Sequence, residues 1–130
     1  MESYYVLMSA SLQNNSMNNP HVSDDDDDAS FIITLDATGA VTAWGEEAEL
    51  FRYKSHEILG QNFSIFYLPE DRQRGLPQQL LEHAFANGSA TFKGLLLRKN
   101  GSSFIGNIII TAQYNDKKKV ISYTSRVTKL

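Results

Sequence analysis

Three histidines are the side chains of this 130-residue sequence best suited to bind a metal or to transfer protons near neutral pH. His21 lies in a polar stretch, and His56 lies in a predicted polar turn. His83 falls within a predicted helix whose inward, apolar face is formed by Leu80, Leu81, Ala84 and Phe85. It lies about 130° from the centre of that face at roughly 100° per residue. The sequence therefore predicts that His83 faces water and that none of the three forms a metal or haem site.

Acidic residues form two groups. Asp24–Asp28 is an uninterrupted run of five aspartates, and it predicts a solvated segment because like charges in a block repel each other. A calcium site is the alternative, although the run lacks the ligand spacing and the turn glycine of a calcium loop. Glu46, Glu47 and Glu49 fit the solvated face of a short helix.

Common enzyme motifs do not occur in the sequence. The chain has no G-x-S-x-G, no phosphate-binding loop and no H-E-x-x-H. It has no cysteine, which excludes disulfides, thiolate metal sites, cysteine nucleophiles and thioether-linked chromophores. We therefore expect that the chain is not an enzyme by itself.

Charge and hydropathy narrow the possible partners. The net charge is −3, and without the aspartate run the chain is close to balanced. The sequence has no basic stripe for nucleic acid, no apolar stretch near the ~20 residues of a membrane span, and no basic flank of a signal peptide. We expect one domain in the cytoplasm, without a nucleic-acid or membrane partner.

The positions of apolar and turn residues predict the elements that hold these side chains. Residues 1–29 are predicted to be a short helix (Glu2–Leu12) followed by a flexible acidic linker, and residues 30–130 the folded domain. Five strands are predicted over Phe31–Asp36, Val41–Trp44, Ala90–Arg98, Phe104–Tyr114 and Val120–Thr128. Helical segments are predicted over Glu46–Phe51, Ser55–Leu59 and Leu76–Ala86, with Ser55 as the cap of the second, and Pro69–Asp71 is predicted to be a helix start or a turn. The order β-β-α-α-α-β-β-β predicts an α+β fold, a five-stranded antiparallel sheet with short helices over one face.

Four local motifs occur in this order along residues 31–128. FIITLDATGAVTAW (31–44) is an opening hairpin, and YKSHEILG (53–60) matches Y-x-x-x-E-I-[IL]-G. FSIFYLPED (63–71) matches F-S-x-F-Y-x-P-E-D, and the segment 98–104 matches R-K-[DN]-G-S-x-F. By these motifs the chain resembles the PAS domains of bacterial sensory-box signalling proteins, such as sensor histidine kinases. Residues 4–8 also resemble the N-terminal cap of that subgroup.

The resemblance implies a sensory module with a ligand in the cavity between the sheet and the long helix. Strand alternation indicates which side chains would line it. The candidates are Ile33, Leu35, Trp44, Phe51, Phe63, Phe66, Leu80, Ala84, Phe92, Gly94, Leu96, Gly106, Ile108, Ile110, Tyr123 and Ser125, with Ile121 on the same face of the last strand. Ordinary core packing is the alternative for each apolar residue. Gly94 and Gly106 either leave room for a ligand or allow close packing.

The cofactor is not determined by the sequence. Blue-light LOV domains resemble this chain in the segment Gly60-Gln61-Asn62, but Phe63 replaces their reactive cysteine. Their flavin-holding amides would fall at Leu96, Gly106 and Ser125, and none of these is an amide. LOV photochemistry is therefore excluded. Haem is not expected either, because haem-sensing PAS domains have a histidine early in the long helix, and here that helix begins Gly75-Leu76-Pro77. Non-covalent flavin, a small metabolite or no ligand remain open.

The partners are predicted from the opposite face of the sheet and from the resemblance. The apolar residues predicted to point away from the helices are Leu95, Leu97, Ile105 and Ile109. Tyr5 and Met8 would cover them in cis or from a second subunit. We expect a homodimer, and a fragment of a larger sensor whose output domain is, for example, a histidine kinase. The alternative function is a PAS domain with a filled core that acts only in dimerisation and docking. The resemblance also implies an ion pair between Glu57 and Lys99.

Overall fold

The computed structural model describes residues 30–45 and 50–130. The predicted N-terminal helix, the cap residues Tyr5 and Met8, the Asp24–Asp28 run and Glu46–Glu49 lie outside the described residues. Predictions for those segments, including the boundary between linker and domain, stay predictions.

Five strands form one antiparallel sheet: β1 (Ser30–Asp36), β2 (Val41–Trp44), β3 (Ser89–Leu97), β4 (Ser103–Tyr114) and β5 (Val120–Lys129). Their order across the sheet is β2-β1-β5-β4-β3. Because β1 pairs with β5, the opening hairpin and the C-terminal meander belong to the same sheet. Residues 50–88 lie over one face of that sheet, and the predicted architecture is confirmed.

The helices are short: α1 (Ser55–Ile58), a 3₁₀ helix (Phe63–Phe66), α2 (Pro69–Gln73) and α3 (Leu76–Asn87). The prediction that Ser55 caps α1 is wrong. The cap residue is Lys54, whose backbone N–H donates to the Glu57 carboxylate at 2.8 Å. α3 ends at Gly88, whose φ of 95° is a left-handed conformation that glycine adopts at low cost.

Alternation along the strands separates an inner face, toward the helices, from an outer face. Two predicted inward positions are wrong. Ile121 is 53% exposed because β5 carries one extra residue where its register with β4 shifts after Gln113. Phe85 is 61% exposed because it lies beyond Leu81, at the solvent edge of the buried stripe of α3.

The turn between β3 and β4 is anchored by Arg98. Its Nε donates to the carbonyl of Leu50 at 3.1 Å, and its guanidinium lies 4.7 Å from the ring centroid of Phe104. A second guanidinium nitrogen donates to the hydroxyl of Ser102 at 3.1 Å. One side chain therefore joins the hairpin turn, the inner face of β4 and the chain that enters the helical layer.

Lys99 makes the second connection from the same turn. Its backbone N–H donates to the carbonyl of Phe51 at 2.9 Å, and its ammonium group pairs with the carboxylate of Glu57. The hydrogen bond from the Lys54 N–H, followed by the contact with Lys99, holds the pKa of Glu57 below its usual range. The ion pair implied by the resemblance is therefore present.

Replacement of Arg98 by lysine is expected to destabilise the fold by about 1–2 kcal/mol. A lysine ammonium cannot donate to Leu50 and Ser102 together in the planar geometry of a guanidinium, and it loses the stacked contact with Phe104. Urea unfolding of Arg98→Lys measures the loss. The control is Arg126→Lys, because Arg126 is exposed and its guanidinium donates to the hydroxyl of Ser30 at the surface. Equal midpoints for Arg98→Lys and the native chain would contradict the anchoring role.

Candidate functional site

The residues predicted to line a cavity lie together between the sheet and the helices. Those that are buried are Ile33, Leu35, Phe51, Phe63, Phe66, Leu80, Ala84, Phe92, Leu96, Gly106, Ile108, Ile110, Tyr123 and Ser125. Trp44 and Gly94 are partly buried. The strand alternation therefore placed these positions on the correct face, while their role toward a ligand stays a prediction.

The space above the two inner-face glycines is filled by neighbouring side chains. Gly94 pairs directly with Gly106 across β3 and β4. A Cβ atom on Gly94 would lie 2.7 Å from Cζ of Phe92, and one on Gly106 would lie 2.6 Å from Cδ1 of Leu96. Both distances are too short for real contacts, so these glycines allow close packing of large neighbours.

Aromatic rings fill the adjoining part of the interior. The rings of Phe51 and Phe66 stack with their centroids 4.3 Å apart. The ring of Trp44 also stacks with that of Phe66, and their centroids are 5.6 Å apart. Phe104 approaches Phe51 at 5.4 Å. Such pairs add to the stability that burial of the rings already supplies. The four rings lie together in this part of the interior.

Tyr67 and Asp71 are polar groups of the interior that the sequence analysis did not select. Both side chains are fully buried, and neither the Tyr67 hydroxyl nor either carboxylate oxygen of Asp71 has a hydrogen-bond partner among the described residues. Arg74 lies 4.0 Å from one oxygen of Asp71, at the limit of an ion pair. The available sequence signal was the motif F-S-x-F-Y-x-P-E-D, which contains both residues but does not predict their burial.

Burial changes the acidity of both groups. Loss of contact with water raises the pKa of the Asp71 carboxyl above its usual range, and the positive charge of Arg74 opposes that change only in part. Burial, and then the nearby charge of Asp71, also raise the pKa of the Tyr67 hydroxyl. Tyr67 and Asp71 are therefore polar groups inside an apolar interior, and Arg74 compensates the carboxylate only in part.

His83 is partly buried, which corrects the prediction that it faces water. Its Nε2 atom is inaccessible and has no hydrogen-bond partner in the described part of the chain, and its Nδ1 lies 3.4 Å from Nδ2 of Asn87. The helical wheel erred because the buried stripe of α3 begins at Leu76, a position near His83 on the wheel. His56 is exposed, and His21 lies outside the described residues.

The outer face of the sheet carries exposed aliphatic side chains. Ile105 is 52% exposed and Leu95, its partner across the strands, is 37% exposed. Leu97 and Ile109 are partly buried. Ile32 on β1, between the inward-facing Phe31 and Ile33, is 48% exposed on the same face and was not among the predicted interface residues.

Metal and membrane sites have no support in the described residues. Across residues 30–45 and 50–130, no group of three or more His, Cys, Asp or Glu side chains is placed to hold a metal ion. None of the helices in that part of the chain combines the length and hydropathy needed to cross a membrane.

Comparison with known proteins agrees with the sheet order and the motifs. The family model described as the PAS fold matches residues 27–128. The chain belongs to the PAS family. As a PAS domain it is a sensory and signalling module, and this confirms the resemblance inferred from the four motifs.

Individual proteins resemble this PAS domain in sequence or in structure. Two-component system protein A of Emericella nidulans is 38% identical over 84 residues, which cover 64% of this chain and 12% of that protein. The chain thus spans about an eighth of that relative. A PAS domain of Colwellia psychrerythraea superposes with a TM-score of 0.72 at 16% identity, covering 78% and 86% of the two chains.

A further structural relative is a variant PAS-B domain of Drosophila melanogaster Cycle with bound glycerol. It superposes with a TM-score of 0.65 at 16% identity, and the match covers 77% of this chain and 99% of that one. At this identity the two structural matches show the shared fold alone.

A methyl group added at Gly94 is expected to destabilise the domain by about 1–3 kcal/mol, because the ring of Phe92 already occupies its place. Urea unfolding of Gly94→Ala measures the change, and Lys93→Ala, an exposed neighbour on the same strand, is the control. If the glycines instead bordered an open cavity, Gly94→Ala would be neutral or stabilising, since alanine restricts the unfolded chain.

Proposed function

We propose that this PAS domain signals through protein contacts on the outer face of its sheet, with an interior filled by its own side chains. The observation that carries the proposal is the packing of Phe92 over Gly94 and of Leu96 over Gly106. A cofactor of flavin or haem size would have to displace these side chains and the stacked rings of Phe51 and Phe66. Such displacement costs packing free energy, because protein interiors lack spare volume.

Exposed aliphatic residues support the proposed protein contacts on the outer face of the sheet. Ile32, Leu95 and Ile105 lie on three different strands of one face, and each leaves more than a third of its surface in contact with solvent. Leu95 and Ile105 are direct partners across β3 and β4, and adjacent exposed apolar side chains favour an interface. A second copy of the chain is the partner we propose, since an identical face can bury the same residues twice across a two-fold axis.

The output of the signal is proposed from the relative. We propose that the domain relays its state to an output domain of a larger signalling protein, for example a histidine kinase. The support is the match to a two-component system protein of which this chain corresponds to a small part. The domain itself is proposed to be non-catalytic and cytoplasmic, consistent with its family.

A glutamate at Ile105 is expected to convert the proposed dimer into a monomer. Burying a carboxylate at an apolar interface opposes association, because the charge would lose its hydration without a partner. Size-exclusion chromatography with light scattering over a concentration series measures the change. Ala86→Glu, which adds the same charge on the exposed side of α3, is the control. A native chain that stays monomeric at high micromolar concentration, or an Ile105→Glu variant that still dimerises like the native chain, would contradict the proposal.

A second candidate function is the binding of a small polar molecule between Tyr67 and Asp71. Buried groups without partners cost roughly 1–3 kcal/mol each, and folded proteins leave few of them. A molecule that donates to the Asp71 carboxylate would remove part of that cost. The glycerol bound to the PAS-B domain of Cycle is an example of a small hydroxylic molecule on this fold. Such a molecule is far smaller than a flavin, so this candidate is compatible with a filled apolar interior.

Asp71→Asn is expected to be more stable than the native chain at neutral pH by about 1–3 kcal/mol when no molecule occupies the site. Burial raises the folded-state pKa of Asp71 above its unfolded value, so stability falls as pH rises through the folded pKa. The advantage of Asp71→Asn should therefore shrink as pH is lowered toward the ordinary range of an aspartate. Urea unfolding from neutral pH down to that range measures both effects.

A comparison of two preparations separates the candidate ligand from an empty site. Unfolding and refolding removes a bound molecule, so refolded native protein should be less stable than freshly purified protein if the site was occupied. Asp71→Asn should show no such difference. Identical stability of the two native preparations would contradict the second candidate function.

A further inference from the structure

An open groove lies at the end of the sheet where β4 turns into β5. It has a volume of about 430 Å³ and is lined by Phe85, Tyr114, Lys118, Lys119 and Val120. Phe85 is 61% exposed and Tyr114 is 48% exposed, so two aromatic rings meet water at one place. Large exposed aromatic side chains beside each other are typical of binding surfaces.

A smaller groove lies on the other side of Phe85. It has a volume of about 260 Å³, and its lining residues are Ala37, Thr38, Gln78, Leu81, Glu82, Phe85 and Tyr123. The Phe85 ring therefore borders both grooves. Two shallow grooves that share one exposed ring fit an extended segment crossing that ring better than an enclosed small molecule.

The turn beside the larger groove holds a lysine in a backbone conformation that suits glycine. Lys118 has a φ of 64°, in the left-handed region that non-glycine residues rarely adopt. The side-chain oxygen of Asn115 accepts from the N–H groups of Lys117 at 2.8 Å and of Lys119 at 3.0 Å, and this fixes the turn. Because the strain persists next to a groove, it favours a functional role for the lysine side chain.

The charge at the groove is opposite to that of the chain. Lys118 and Lys119 line the larger groove, and none of its lining residues is acidic, whereas the whole chain carries a net charge of −3. The one carboxylate among the lining residues of the two grooves is Glu82, in the smaller groove, so the acidic part of a ligand is placed in the larger one. Asp116 belongs to the same turn but does not line the groove. The larger groove therefore presents two ammonium groups beside an apolar floor and complements an anionic, partly apolar ligand.

The position of the groove favours a partner in trans. Ser30 pairs with Thr128, and the Leu130 N–H donates to Ile105, so both described ends of the domain meet at one edge. β5 begins at Val120, at the opposite end of the strand. At a rise of ~3.3 Å per residue the groove lies about 30 Å from those ends. A segment adjoining either end would have to run the whole length of the sheet to reach it.

We propose that the groove at Phe85 binds an extended acidic segment of a partner protein. An apolar side chain of that segment packs against Phe85 and Tyr114, and its carboxylates pair with Lys118 and Lys119. This surface is separate from the outer face used in the proposed dimer, so each can fail without the other.

Selection of random peptides displayed on phage against the full chain tests the proposal. Enriched peptides should carry Asp or Glu around an aromatic or aliphatic residue. A synthetic copy of an enriched peptide should bind Phe85→Ala at least 10-fold more weakly than it binds the native chain. It should bind Lys118→Gly several-fold more weakly, and the affinity for Lys118→Gly should depend less on salt because a charge pair is lost. Lys93→Ala, which removes an exposed lysine elsewhere, should bind like the native chain.

Lys118→Gly also excludes unfolding as the cause of a loss. Glycine adopts positive φ without strain, so this variant should melt at or above the temperature of the native chain while it binds more weakly. Absence of any enriched peptide, enrichment of basic or neutral peptides, or equal binding by the native chain and both groove variants would overturn the proposal.

Discussion

Phe92 lies over Gly94 and Leu96 lies over Gly106, on two strands whose register places the glycines opposite each other. This contact decides how the rest of the domain can work. Because the glycines supply no side chains, their large neighbours fold down onto the sheet and occupy the inner face. The helical layer then closes on a surface of rings and aliphatic groups, with Phe51 at its centre. Little volume is left for a molecule that the chain does not itself encode.

The proposed filling of the interior moves the functional question to surfaces and to one polar site. The outer face carries Ile32 and Ile105 in contact with solvent, and the far end of the sheet carries Phe85. Inside, neither the Tyr67 hydroxyl nor the Asp71 carboxylate has a hydrogen-bond partner among the described residues. A folded domain can sustain a few such groups, because the well-packed apolar core around them offsets the free-energy cost of burying polar atoms without hydrogen bonds. These three features are where the chain departs from what stability alone requires.

The sequence predicted the strands, the sheet architecture and the inward-facing set well, because strand alternation and turn glycines are local signals. It could not decide whether Gly94 and Gly106 make room or close it, since that depends on the rotamer of Phe92. It placed Ile121 on the inner face, but one extra residue at the start of β5 interrupts the alternation of inner and outer positions there. It misplaced Phe85 and His83 because a wheel gives angles but not the direction from which the sheet approaches α3. Burial of Asp71 depends on contacts between distant segments, which no local pattern contains.

The central claim is that the interior is closed by the chain's own side chains. Native mass spectrometry of freshly purified protein, combined with its absorption spectrum, tests this claim most directly. The account predicts the mass of the polypeptide without a cofactor, and no absorption beyond that of tryptophan and tyrosine. A stoichiometric flavin, haem or other aromatic cofactor would contradict it, because such a molecule requires space that Phe92, Leu96 and the stacked rings fill.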